Sequence, residues 1–410
     1  MKFAMDLQHS QLLESQVQPW RDKACEALHT LFSDTLSFTG WVKDPLTYGK
    51  EQIASITETA KKIRQQCDYF LVLGVGGSFM GAKAVIDMLP TAGKTKVLFA
   101  GYNFSGRYIK ELLAEIEDKD LCLCVISKSG STTETLSAYG IFKNIMIQKY
   151  GQKETAARTY VVTENKSNYL YDQATKEGCT LLYLPESIGG RYSVLTPVGL
   201  LPIAVAGIDI HKLLAGAKEL ASFDAFTGKA LDYAISRQLL FQKNKPIEIF
   251  AFFDPYLAYF GEWLKQLFGE SEGKDGKGIY PASLLFSRDL HSMGQFLQQG
   301  TAIFYETFIT VANPTEDVAI PKDAMEPFAG KTIRQLNTCA EKGVLDAHVA
   351  AGTPIISIVL EKLDTETVGQ LLYWFEMQCA VSALLSGVDP FNQPGVEAYK
   401  KEMRNYINQL

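Results

Sequence analysis

From about residue 66 onward, short apolar runs alternate with helix-length stretches of mixed polarity. Positions 69–74 read as a strand, 78–87 as a helix and 96–100 as a strand, and a helix begins near Ser105. The alternation continues with a strand over 121–127, a helix over 132–148, and strands over 159–163 and 181–184. Runs rich in Val, Ile, Leu and Tyr that are separated by helices predict a parallel sheet covered on both faces. A second block of the same kind starts near Pro246, with strands over 247–252, 284–286, 302–311 and 354–360. Its helices are predicted over 256–268, 331–351 and 367–386, with a terminal helix over 396–409. The fold class is therefore α/β, with two parallel-sheet layers. The expected organisation is a helical arm over 1–50, a first subdomain over 51–200 and a helical connection over 201–245. A second subdomain over 246–390 and a helical tail over 391–410 complete it.

Two segments rich in glycine and hydroxyls stand where a strand hands over to a helix: Gly74-Val-Gly-Gly-Ser78 and Ser127-Lys-Ser-Gly-Ser-Thr-Thr-Glu-Thr135. Such loops offer backbone N–H groups and hydroxyls to an anion at a helix N-terminus. The first is not a dinucleotide fingerprint, because Phe79 occupies the third glycine position and no Asp or Glu ends the second strand. Nor is it a P-loop, since no Gly-Lys-Ser/Thr closes it. The second carries six hydroxyl side chains in nine residues, where a simple cap uses one. Both follow strands at the carboxyl edge of the predicted sheet, where ligands of open parallel sheets bind. A phosphate site is the reading.

Composition narrows the partner. The 410 residues carry 40 basic against 46 acidic side chains, a net charge of −6, which argues against binding nucleic acid. The seven cysteines are scattered, contain no Cys-x-x-Cys pair and lie mostly in apolar runs, as expected of reduced buried thiols. The opening residues show no apolar signal core, and no apolar run approaches the ~20 residues of a membrane span. A cytoplasmic location without membrane contact is the expectation.

With the two loops stand Gly189-Gly-Arg-Tyr-Ser193, Gly269-Glu-Ser-Glu-Gly-Lys274, His291-x-x-x-Gln295 and Gly395-Val-Glu-Ala-Tyr-Lys400, in that order. The series resembles the glucose-6-phosphate isomerase (phosphoglucose isomerase) family in its shorter bacterial form, over roughly residues 70–400. The resemblance implies two sugar-isomerase (SIS) type α/β/α sandwich subdomains, a homodimer, a sugar phosphate substrate, and no metal or organic cofactor. It implies reversible aldose–ketose isomerisation of glucose 6-phosphate and fructose 6-phosphate through ring opening and a cis-enediolate, within glycolysis and gluconeogenesis. Two other readings stay open at this point: an isomerase that also accepts mannose 6-phosphate, and a sugar-phosphate-binding regulator of the same fold that performs no chemistry.

The resemblance also assigns roles. Phosphate contacts fall on Ser127, Ser129 and Thr132, with Thr135 and the backbone of Lys128 nearby, and on Gln393. Gly77 and Ser78 line the sugar. Spacing alone does not choose among Glu262, Glu270 and Glu272 as the base, but the family motif selects Glu270, with Gln266 one turn earlier touching substrate. Arg191 stabilises the enediolate. His291, which opens a predicted helix, takes part in ring opening from the neighbouring subunit, together with Lys400. The adjacent Lys401 is the sequence rival, and Pro394 stands where many longer members carry Trp. The other four histidines, His9, His29, His211 and His348, read as structural or solvated.

Overall fold

Ten strands are found in the computed structural model, which describes residues 1–33, 35–43 and 50–410: β1 (Phe3–Asp6), β2 (Tyr69–Leu73), β3 (Lys96–Ala100), β4 (Leu121–Ile126), β5 (Thr159–Thr163), β6 (Thr180–Tyr183), β7 (Ile247–Phe252), β8 (Tyr280–Leu285), β9 (Phe304–Val311) and β10 (Ile355–Leu360). The chain divides into two compact units, Leu36–Ser222 and a second formed by Met1–Thr35 with Phe223–Leu410.

In the Leu36–Ser222 unit the sheet order is β3-β2-β4-β5-β6, and every pair is parallel. All six residues of β4 and all five of β5 are buried, so their continuous apolar runs reflect helices on both faces. On one face Leu71, Leu123, Val125 and Val161 pack with Leu112, Phe142 and Met146. Each such side chain contributes about 1.5–3 kcal/mol by leaving water. Helix starts carry local signals: Ser105 accepts from the Tyr108 amide ahead of Gly106–Ile116, and Asn168 accepts from the Tyr171 amide ahead of Tyr169–Glu177. The helix expected to stop at 148 runs as Thr133–Ala157, broken by Gly151 at φ 77°. The all-apolar helix Pro197–Val205 is buried along its length and packs on helices Lys50–Gln66 and Met80–Met88.

The other unit has the order β1-β10-β9-β7-β8, with β7 to β10 parallel and β1 antiparallel to β10. Here the expectation of a helical arm over 1–50 is corrected. Its start is a strand, its helices are Glu14–Val17 and Arg21–Phe32, and positions 34 and 44–49 lie outside the described residues. The edge of β10 supplies the reason, because Phe3–Asp6 satisfies backbone groups from Ser357 to Leu360. The Lys2 amide donates to Gln370 at 2.7 Å, and the buried Phe3 ring meets Trp374 edge-on at 5.4 Å. The strand expected over 284–286 begins earlier, at Tyr280, in register with β7. Helix Thr365–Leu385 is the spine of this unit, buried from Thr367 to Ala383 and packed against helices Arg21–Phe32, Asp232–Gln242 and Ala258–Glu272.

Because β1 is held by one buried ring as well as by its ladder, Phe3→Ala should destabilise this unit by about 3 kcal/mol. The measurement is the shift in urea midpoint at unchanged slope.

Candidate active site

Within the Leu36–Ser222 sheet, β2 is first in sequence but lies between β3 and β4, so the order of assembly reverses between β2 and β4. At such a reversal the connections leave the strand ends in opposite directions and open a crevice. The two loops singled out in the sequence leave those two strands.

The loop after β2 is shaped by missing side chains. Gly76 has φ 58°, a conformation that L residues with a Cβ rarely adopt. A Cβ on Gly77 would lie 2.1 Å from the Gly190 carbonyl oxygen and 3.0 Å from the Arg191 nitrogen. Backbone therefore packs on backbone, and the loop carrying Ser78 touches the turn carrying Arg191. That turn, Gly190–Tyr192, is a single 3-10 turn closed by the Ser193 hydroxyl, which donates to the Gly190 carbonyl at 2.6 Å. Arg191 is 4% exposed, and Tyr192 stacks on Trp41 at 4.7 Å.

In the loop after β4, the buried Ser127 hydroxyl lies 2.9 Å from that of Thr132. Thr132 is the N-cap of Thr133–Ala157, yet its side chain makes no capping bond. The first-turn amides of that helix have no intrahelical acceptors. Gly130, at φ 65°, is fitted against Asn168, whose Oδ1 a Cβ would meet at 1.8 Å. Ser129 and Ser131 are exposed, with their hydroxyls 3.0 Å apart. Thr135 lies one turn below and is fully buried, and its Oγ1 has no hydrogen-bond partner among the described residues. The Lys128 side chain leaves the loop. Its Nζ donates to the carbonyls of Glu186 and Ile188 at 3.2 and 2.8 Å, 4.5 Å from the Phe38 ring centre. Burial pushes this ammonium down from its ordinary value, with Glu164, 3.5 Å away, opposing. Lys128 thus ties the loop to the residues just ahead of Gly189, and only its backbone remains at the loop.

In the other unit, helix Ala258–Glu272 carries Gln266 and Glu270 one turn apart, and the Gln266 amide donates to Glu270 Oε1 at 3.1 Å. The sequence rivals are engaged elsewhere. Glu272 is fully buried and paired with Arg237 at 2.6 Å, and Glu262 pairs with Lys265 on the helix surface at 2.6 Å. His291 is exposed in the first turn of Leu290–Gln299, and its ring makes no hydrogen bond among the described residues. Lys400, on Pro394–Ile407, meets Glu397 at 3.2 Å and no other candidate residue. Gln393 is the exposed N-cap of that helix, with Pro394 in its first turn. Among the histidines read as structural, His348 is buried with Nδ1 2.8 Å from Glu306, and His29 packs 4.3 Å from the Phe223 ring. Sequence reasoning missed Arg237, fully buried beside Glu248 and Glu272 in helix Asp232–Gln242, where nothing in the local pattern sets it apart from Asp232, Ser236 and Gln238.

The contact between Gly77 and Gly190 yields a test. Gly77→Ala should part the two turns and weaken binding of a phosphate monoester by at least about tenfold, since one methyl displaces backbone rather than a flexible side chain. Titration calorimetry on the variant measures it, with circular dichroism reporting an unchanged fold.

Comparison with known proteins bears on the whole chain. The phosphoglucose isomerase family matches residues 42–410. The glucose-6-phosphate isomerase of Staphylococcus saprophyticus is 42% identical over 407 residues, 95% of this chain and 92% of its own. That of Staphylococcus aureus is 43% identical over 380 residues, 89% of this chain and 86% of its own. Among solved structures, a hypothetical protein of Thermus thermophilus superimposes with a TM-score of 0.88 at 25% identity, covering 99% of each chain. A glucose-6-phosphate isomerase of Chlamydia trachomatis shares the fold with a TM-score of 0.85 at 19% identity, over 99% of this chain and 88% of its own. With a family match across most of its length and relatives above 40% identity, the chain belongs to the phosphoglucose isomerase family.

Proposed function

We propose that this chain interconverts glucose 6-phosphate and fructose 6-phosphate through ring opening and a cis-enediolate, as a cytoplasmic homodimer serving glycolysis and gluconeogenesis. The observation that carries the reading is 42% identity to a glucose-6-phosphate isomerase over 95% of the chain. The phosphate loop at the sheet reversal supports it independently, since it offers amides and hydroxyls without a competing cap.

Each step has a residue. Ser127, Ser129, Thr132, the Lys128 backbone and Gln393 hold the phosphate, with Thr135 behind them, and Gly77 and Ser78 line the sugar. An anion at a helix start gains up to about 2 kcal/mol from the dipole, and fixing the substrate supplies several kcal/mol more through proximity. His291, contributed by the partner subunit, and Lys400 move protons between the anomeric hydroxyl and the ring oxygen, opening the ring. Glu270 then takes the C2 proton and returns it to C1, held in place by Gln266. Oxidation at C2 balances reduction at C1, so the overall change needs no outside electron donor or acceptor. Arg191 faces the charge that develops on the enediolate, and a guanidinium there contributes mostly in the transition state.

A coupled assay with fructose 6-phosphate tests the reading, and turnover should survive a chelator. Ligand binding without any turnover would favour the non-catalytic regulator. Glu270→Gln should lower kcat by about 10²–10⁴, with KM nearly unchanged and no exchange of the C2 hydrogen with solvent. In Arg191→Ala the loss should fall mainly on kcat, whereas Ser129→Ala with Thr132→Ala should raise KM for the phosphorylated sugar. Near-normal turnover in the arginine variant, or an unchanged KM in the double variant, would remove the corresponding role.

A further inference from the structure

Resting on the assignment of Glu270 as the proton carrier, we infer that Arg237 is a positioning residue: it grips the opposite face of the same helix and so sets where that carboxylate points. The grip is made at two places. The guanidinium lies over the Phe268 ring at 3.9 Å and donates through its second terminal nitrogen to Glu272 Oε2 at 2.6 Å. Residues 268 and 272 are one turn apart and fully buried, while 266 and 270 are one turn apart and half-buried. Two residues along a helix is a rotation of about 200°, so Arg237 holds the back of the segment whose front carries Gln266 and Glu270. Glu270 stands between its two points of attachment in the sequence.

Arg237 is itself fixed from two further elements. Its other terminal nitrogen pairs with Glu248 on β7, and Nε donates to Ser382 Oγ at 3.3 Å on the spine helix. Glu248 Oε1 in turn accepts from the Tyr233 and Thr307 hydroxyls, both at 2.6 Å. Gln238 donates to the Ser382 hydroxyl and carbonyl at 3.0 and 3.1 Å. Immediately past Glu272, Lys274 reaches the Asp389 carbonyl and Lys277 donates to the Ser386 carbonyl at 3.0 Å. The end of the Glu270 helix is thereby lashed to the end of Thr365–Leu385, and the chain from there leads directly into Gln393 and the helix bearing Lys400. A fully buried cation between two carboxylates is a poor source of net stability, because desolvation consumes the attraction. Geometry is what it secures: the fork allows one arrangement, where an apolar core of the same volume allows several.

Glu272→Gln, which keeps shape and removes one charge, is the test. In the unsubstituted protein, the fraction of deuterium carried from C2 of 2-deuterated glucose 6-phosphate to C1 of the ketose, rather than lost to solvent, is measured alongside kcat and KM for fructose 6-phosphate. The variant should show kcat about 10- to 100-fold lower, KM within about twofold, and a fall in the transferred fraction of at least twofold. Partial unfolding reduces kcat but leaves the transferred fraction untouched, since only active molecules report it. If Glu272→Gln does not fold, Ser382→Ala, which loosens the same guanidinium, should move the transferred fraction in the same direction. An unchanged fraction in whichever variant folds overturns the positioning role. No turnover in the unsubstituted protein would instead overturn the proposed function itself.

Discussion

Between the turn that follows β2 and the turn that carries Arg191 there is no room for a methyl group. Gly77 rests on the Gly190 carbonyl and the Arg191 amide, and that contact brings two loops far apart in sequence to one place. Lys128 adds a second tie, holding the carbonyls of residues 186 and 188 while its own backbone stays in the hydroxyl-rich loop. Three connections of the parallel sheet thus lean on one another before any ligand arrives. Donors that are already in place lose little by reorganising when charge develops, which is where such sites gain their rate.

The unit built around β7 to β10 solves a different problem by different means. Its spine helix is buried nearly all round, and in the core beside it sit Arg237, Glu248 and Glu272, joined by hydrogen bonds to Tyr233, Thr307 and Ser382. Hydrophobic packing fixes which elements meet, but tolerates small slides and rotations. A charged cluster with few allowed geometries removes that slack. The first unit relies on closeness of backbone, the second on direction of hydrogen bonds.

Much of this was legible in the residues. The all-apolar runs of β4 and β5 announce strands buried on both faces, and the mixture of glycine, serine and threonine after β2 and β4 announces amide-rich turns. What escaped reading depends on partners distant in sequence. Phe3–Asp6 is too short for any periodicity, and its ladder partner lies some 350 residues away. Glu270 and Glu272 are the same residue type two positions apart; a helical rotation and an arginine from another helix separate a half-buried carboxylate from a core ion pair. Thr132 and Thr135 likewise differ only by a turn, one hydroxyl meeting Ser127 and the other enclosed without a hydrogen-bond partner among the described residues. Residue type fixed the chemistry available, and three-dimensional neighbours decided which copy could use it.

The uncapped start of Thr133–Ala157 has a consequence for the stability of the fold. If a sugar phosphate binds there as proposed, it completes an opening turn that is otherwise unfinished. Occupancy at a hundred times the dissociation constant adds about 2.7 kcal/mol to the folded state. Under the proposed function, bound sugar phosphate should therefore raise the resistance of the folded chain to heat and proteases.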